Sequence, residues 1–147
     1  MDGKDLYFLI VWFLASISPF LFVFISQMHL AYAACGIDEH GIGIVPSITF
    51  ASTANAFRHL GAKVLFCDVD SATGLIDLNS LEQNLKLANI SRKSGAGVIA
   101  PVSFAGKVAP LKECRRLADK YDFLLVEDAS HSPLAWEEQE GEIVRSC

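Results

Sequence analysis

From residue 42 onward the chain alternates short apolar runs with longer, charge-bearing segments of helical period, and this alternation is the signature of βαβ units. Ile42-Gly-Ile-Val45 stops at Pro46 and reads as a strand. Phe50, Ala54, Phe57 and Leu60 then recur at helical spacing until Gly61 ends the element. Lys63 to Cys67 is a second strand running into Asp68-Val-Asp70. Asp77 stands where an N-cap belongs, ahead of Leu78, Leu81 and Leu85, which predicts an amphipathic helix over 78–88. Asn89 to Gly97 reads as a loop, and Val98-Ile-Ala-Pro-Val102 as a third strand with a proline near its end. Pro110 suits the first turn of a helix with Leu111, Cys114, Leu117, Ala118 and Tyr121 on one face and Lys112, Glu113, Arg115, Arg116 and Lys120 on the other. Phe123-Leu-Leu-Val126 is a continuous apolar run, as in a strand covered on both faces. The expected class is α/β with a mostly parallel sheet, ending in an exposed acidic tail that carries Glu137, Glu138, Glu140 and Glu142.

At 52% hydrophobic and 20% charged residues the chain is too apolar for disorder. Its net charge of −5 argues against a nucleic-acid partner, which would need a basic face. Cys35, Cys67, Cys114 and Cys147 fit no zinc, CxxC or dense disulfide spacing, so free thiols in a reducing compartment and no metal are expected. The N-terminus differs from the rest. Leu6 to Ile25 carries no charge and is long enough to cross a hydrocarbon core of about 30 Å. A membrane-spanning or signal-anchor helix, a pair of buried helices, and a stretch foreign to the fold all fit it. The flank Met-Asp-Gly-Lys-Asp is net acidic, against a cleaved signal peptide, although Ala31, Ala33 and Ala34 imitate a cleavage site. The chain thus divides into 1–25 and 26–147, and a cytoplasmic location has membrane anchoring through residues 6–25 as its alternative.

In open parallel sheets ligands sit beyond the carboxyl ends of the strands. The residues there are Ser47 to Phe50, Asp68 to Asp70, Ser103 to Gly106 and Glu127-Asp-Ala-Ser-His131. Asp128 directly follows a buried-type strand, where its charge calls for a cation or donors. A protonated heterocycle nitrogen is one fitting cation; capping the next element or pairing with a surface lysine is the plainer alternative, and spacing leaves both open.

Val45-Pro-Ser-Ile-Thr-Phe-Ala-Ser-Thr-Ala-Asn-Ala56, Gly61-Ala-Lys-Val64, Asp68-Val-Asp70, Thr73 to Asp77, Pro101-Val-Ser-Phe-Ala-Gly106 and Glu127 to His131, in this order, resemble the nucleotide-sugar aminotransferases of the DegT/StrS type. Phe104-Ala-Gly-Lys107 and the ending Gly141 to Cys147 look most like the branch serving pseudaminic and legionaminic acid synthesis. The resemblance implies the three-layer large domain of a fold type I pyridoxal-phosphate enzyme, a homodimer, and transamination of a 4-keto nucleotide sugar by a donor such as glutamate. It implies that Asp128 pairs with the cofactor's pyridinium nitrogen, that Phe50 stacks on the ring, and that His131 lies beside the ring hydroxyl. Thr49 and Asn55 line the same pocket in this reading, and Lys107 and His29 stay unassigned.

The departures are specific. Ser26-Gln-Met-His-Leu30 is similar to the latter half of the family's phosphate-holding turn, but Phe24 and Ile25 stand where a small residue and Thr belong, so the phosphate cradle is expected to be lost. Leu134, behind Pro133, replaces a glycine that usually ends the Asp-Ala-Ser-His segment. By the family's spacing, the lysine that binds the cofactor covalently lies beyond Cys147, and on this reading the 147 residues are an incomplete large domain without activity of their own. A degenerate or membrane-anchored non-catalytic α/β protein is the alternative. A Rossmann-type binder is disfavoured because no G-x-G-x-x-G follows a strand.

Overall fold

The computed structural model describes residues 27–91 and 94–146. The apolar run 6–25 and the Phe24-Ile25 pair lie outside them, as does Ser26. Among the described residues no helix is long and apolar enough to cross a membrane.

A first helix, α1, includes residues 27–34. Strand β1 (Ile42–Pro46), helix α2 (Ala51–His59), strand β2 (Lys63–Cys67), helix α3 (Leu78–Ser91), strand β3 (Gly97–Ile99), helix α4 (Leu111–Tyr121) and strand β4 (Leu124–Leu125) follow, and then strands β5 (Trp136–Gln139) and β6 (Glu142–Arg145). The sheet runs β2-β1-β3-β4 with every pairing parallel. Along β1 the side chains alternate between its two faces. Ile42 and Ile44 pack with Ile99, Leu81, Leu85, Ala88, Cys114 and Ala118 under α3 and α4. Val45 packs with Val98, Ala100, Tyr32, Ala56 and Phe57 under α1 and α2. Helices therefore cover both faces, giving the expected α/β three-layer arrangement.

Local chemistry sets the element ends. Asp77 caps α3, its Oδ1 accepting the Ser80 N–H at 2.7 Å. Helix α3 continues through Asn89, Ile90 and Ser91, where a loop was expected, since no Gly or Pro interrupts it there and Ala88 is still buried. Helix α4 closes on Asp122 in the left-handed conformation (φ 55°). The acidic tail forms a β5–β6 hairpin, which the sequence reading missed. Its two-residue turn, Glu140-Gly141, has positive φ at both positions, 53° and 78°, as a type I′ turn requires.

Strand order fixes where a ligand fits. The chain steps outward from β1 to β2, then returns past β1 to lay down β3 and β4. The switch point is therefore the crevice between the carboxyl ends of β1 and β3.

Candidate active site

Three segments meet at that crevice: residues after β1 (Ile48, Thr49, Phe50), after β3 (Val102, Phe104) and after β4 (Asp128, Ser130, His131), around a cavity of about 180 Å³. This is below the ~300–1,000 Å³ that encloses a whole drug-sized ligand, so it suits one aromatic ring.

Asp128 is brought there by the sheet continuing one residue at a time beyond β4. Its N–H donates to Pro101 O at 2.9 Å, its carbonyl accepts the Ser103 N–H at 3.0 Å, and it forms a parallel bridge with Val102. It is 4% exposed. The Thr53 hydroxyl donates to Oδ2 at 2.6 Å, while the Ser130 N–H and hydroxyl donate to Oδ1 at 3.1 and 2.5 Å. Among the described residues no Lys, Arg or His forms an ion pair with it. A buried carboxylate satisfied by hydroxyls but facing no cation is electrostatically poised for a cationic guest. The Asx turn to Ser130 realises the capping half of the plainer alternative; among the described residues no surface lysine pairs with Asp128.

Phe50 is the N-cap residue of α2, and its apolar ring lines the cavity while 55% exposed. His131 is exposed, and its ring stacks on Phe104 with centroids 5.3 Å apart at 26°. The Gly106 N–H donates to the His131 carbonyl at 3.1 Å, tying the two loops together. Thr49 lines the cavity, whereas Asn55 lies on the exposed side of α2 and is not in the lining. Phe50, Asp128, His131 and Thr49 thus converge, and Asn55 stands apart.

Sequence reasoning gave no role to Thr53, nor to Phe104 and Ser130 within the loops it singled out. For Ser130 a signal was present, since Asp-x-Ser is a standard Asx-turn spacing.

Behind the carboxylate, Tyr32 of α1 is fully buried. Its ring stacks on Phe57 at 3.6 Å and its hydroxyl donates to the Thr53 carbonyl at 3.3 Å. Burial, and then the charge of Asp128, push the Tyr32 phenol well above the ordinary tyrosine value.

A larger, open hollow of about 560 Å³ lies elsewhere, lined by Asp70, Asp77, Glu113, Glu137 and Glu140 with no basic residue in its wall, a poor setting for a phosphate-bearing group. The residues at the switch-point cavity fit a protonated heteroaromatic ring better: a buried anion in one wall, an aromatic face at the mouth. Lys107 is exposed and no lysine among the described residues lines the cavity.

Comparison with known proteins bears on the family and the fold. The DegT/DnrJ/EryC1/StrS aminotransferase family matches residues 26–140. UDP-4-amino-4,6-dideoxy-N-acetyl-beta-L-altrosamine transaminase from Campylobacter jejuni serotype O:2 is 40% identical over 107 residues, 73% of this chain and 27% of that protein. A solved DegT DnrJ EryC1 StrS aminotransferase from Brucella abortus superposes with a TM-score of 0.62 at 30% identity, covering 73% of this chain and 28% of its own. The Bacillus subtilis protein NtdA, solved with bound cofactor PMP, superposes with a TM-score of 0.62 at 23% identity, covering 74% and 23%. The chain spans about a quarter of the length of the curated relatives it matches.

Proposed function

Because the chain belongs to the DegT/DnrJ/EryC1/StrS aminotransferase family, we propose that its switch-point cavity takes the ring of pyridoxal phosphate and that the reaction served is amino transfer from a donor such as glutamate to a 4-keto nucleotide sugar. The 40% identity to the altrosamine transaminase supports an amino sugar of the pseudaminic type, made for cell-surface glycans. The single observation that carries the reading is the buried carboxylate of Asp128 in the cavity wall, with which no Lys, Arg or His among the described residues forms an ion pair.

When bound, the cofactor supplies an electron sink for the substrate's reacting carbon. The chain's own residues bind and orient. Asp128 accepts a hydrogen bond from the protonated ring nitrogen and offsets its charge. Phe50 covers one face of the ring. His131, held by Phe104, meets the ring hydroxyl. Thr49 completes the wall, and Asn55 would meet only a group extending beyond the ring. Residues 26–147 contribute to the cofactor-binding domain in this reading, as a unit distinct from the apolar segment 1–25. No lysine among the described residues lines the cavity, so covalent capture would call on a lysine from outside its wall. Ile48 and Phe50, 43% and 55% exposed at the mouth, offer apolar area for a second copy to cover in a cytoplasmic homodimer.

Pyridoxamine 5′-phosphate tests the site because it needs no lysine. Being achiral, it gains circular dichroism in its own absorption band only when a protein holds it. The intact chain should induce such a band at millimolar ligand, and Phe50→Ala should reduce it. A chain that induces none would refute the proposal.

A further inference from the structure

We infer that Thr53 is a positioning residue for Asp128, a buried hydroxyl that sets the carboxylate's orientation toward the ring nitrogen, with Ser130 as the opposing support. The inference rests on the reading of Asp128 given above.

An aspartate's terminal torsion is broad and roughly two-fold, so an unclamped carboxylate presents a range of lone-pair directions. Here both oxygens are held, Oδ2 by the Thr53 hydroxyl at 2.6 Å and Oδ1 by Ser130 through two donors. A carboxylate offers about four acceptor directions, so the clamp leaves one for a cavity guest. Thr53 is itself fixed. It is fully buried, β-branched and within α2, and its carbonyl accepts the Tyr32 hydroxyl, which the stack on Phe57 immobilises. Orientation thus passes from α1 through α2 to the strand end, while Phe50, the N-cap residue one turn before Thr53, meets the same cavity. One short helix therefore carries both the ring-covering face and the group that aims the anion.

The test is titration of the intact chain and its variants with pyridoxamine 5′-phosphate carrying a ¹⁵N-labelled ring, followed by induced dichroism for affinity and by the ¹⁵N shift for ring protonation. Thr53→Val keeps the volume and removes the donor. It should weaken binding roughly ten- to hundredfold, the loss expected for a hydrogen bond to a charged group, and move the shift toward the unprotonated value. Thr53→Ser should restore both. Wild-type affinity and shift in Thr53→Val, alongside loss of both in Asp128→Asn, would overturn the positioning role and leave the Asp128 reading standing. Unchanged affinity and shift in Asp128→Asn would overturn both. Should Thr53→Val not fold, the wild-type chain still decides: the Thr53 hydroxyl proton should be protected from solvent exchange and lose protection in Asp128→Asn, whereas a freely exchanging proton overturns the inference.

Discussion

A Cβ placed on Gly43 would fall 2.5 Å from the ring of Phe57, closer than carbon atoms approach in folded proteins. Gly43 sits mid-strand in β1, and its missing side chain is what allows the α2 aromatic to lie flat on the sheet. Phe57 cannot retreat, because Tyr32 stacks on its other face at 3.6 Å. Gly43→Ala should cost about 1–3 kcal/mol by overpacking, read as a lower urea midpoint. In a Phe57→Leu background the same change should cost less, and full additivity would show that the two sites do not touch.

Leu134 occupies left-handed backbone at φ 64° while 86% exposed. The side chain gains little packing for its strain. Relief of ~1–2 kcal/mol, less ~0.4–1 kcal/mol of added unfolded-state freedom, should make Leu134→Gly more stable by about 0.5–1 kcal/mol. A thermal midpoint that falls would contradict this.

Glu82 links α3 to α4 by accepting from Lys120 Nζ at 2.7 Å and the Tyr121 hydroxyl at 3.0 Å. The Lys120 bond, then that from Tyr121, holds the Glu82 carboxyl below its ordinary 4.5. The bond to Glu82 raises Lys120 above 10.5. A lowered acid stabilises above its unfolded value and loses this as pH falls through the folded one; a raised base stabilises below its unfolded value and loses this as pH rises through the folded one. The stability gap between wild type and Glu82→Gln should therefore be flat through neutral pH, close at both extremes, and shrink in high salt. A gap that persists in acid would contradict the assignment.

Tyr32 predicts an alkaline transition of its own. Its raised phenol contributes stability below the ordinary value of 10.0 that is lost as pH climbs above it. Tyr32→Phe keeps the stack on Phe57 and should abolish the part of the alkaline stability loss that accompanies tyrosinate absorbance. Identical alkaline unfolding in both proteins would show that Tyr32 is not the group responsible.

The parts of this fold legible in the sequence are those written in periodicity and punctuation. Asp77, Gly61 and Pro110 mark helix boundaries, and the apolar runs mark the strands. The hairpin escaped because its turn begins with Glu140, a residue that rarely takes positive φ, inside a run read as an acidic tail. At the site, Asp128 stands out because it follows a buried-type strand, whereas Phe50, Thr49 and His131 take their roles from the resemblance of their motifs to the aminotransferase family. Thr53 could not be named, since its role depends on a hydrogen bond across 75 residues that no local pattern encodes. Asn55 shares a motif with Phe50, but the turn of α2 carries it to the solvent side.

The central claim is that Asp128 is the anion a protonated ring nitrogen meets. It is tested most directly by the ¹⁵N shift of ring-labelled pyridoxamine 5′-phosphate bound to the wild-type chain, Asp128→Asn and Asp122→Asn. Asp122 is an exposed helix terminus in left-handed backbone that asparagine adopts equally well, which makes it a conformationally neutral control. The account predicts a protonated shift in wild type and Asp122→Asn at a pH where the free ligand's ring is neutral, and an unprotonated shift with weakened binding in Asp128→Asn. A protonated shift retained in Asp128→Asn would contradict it.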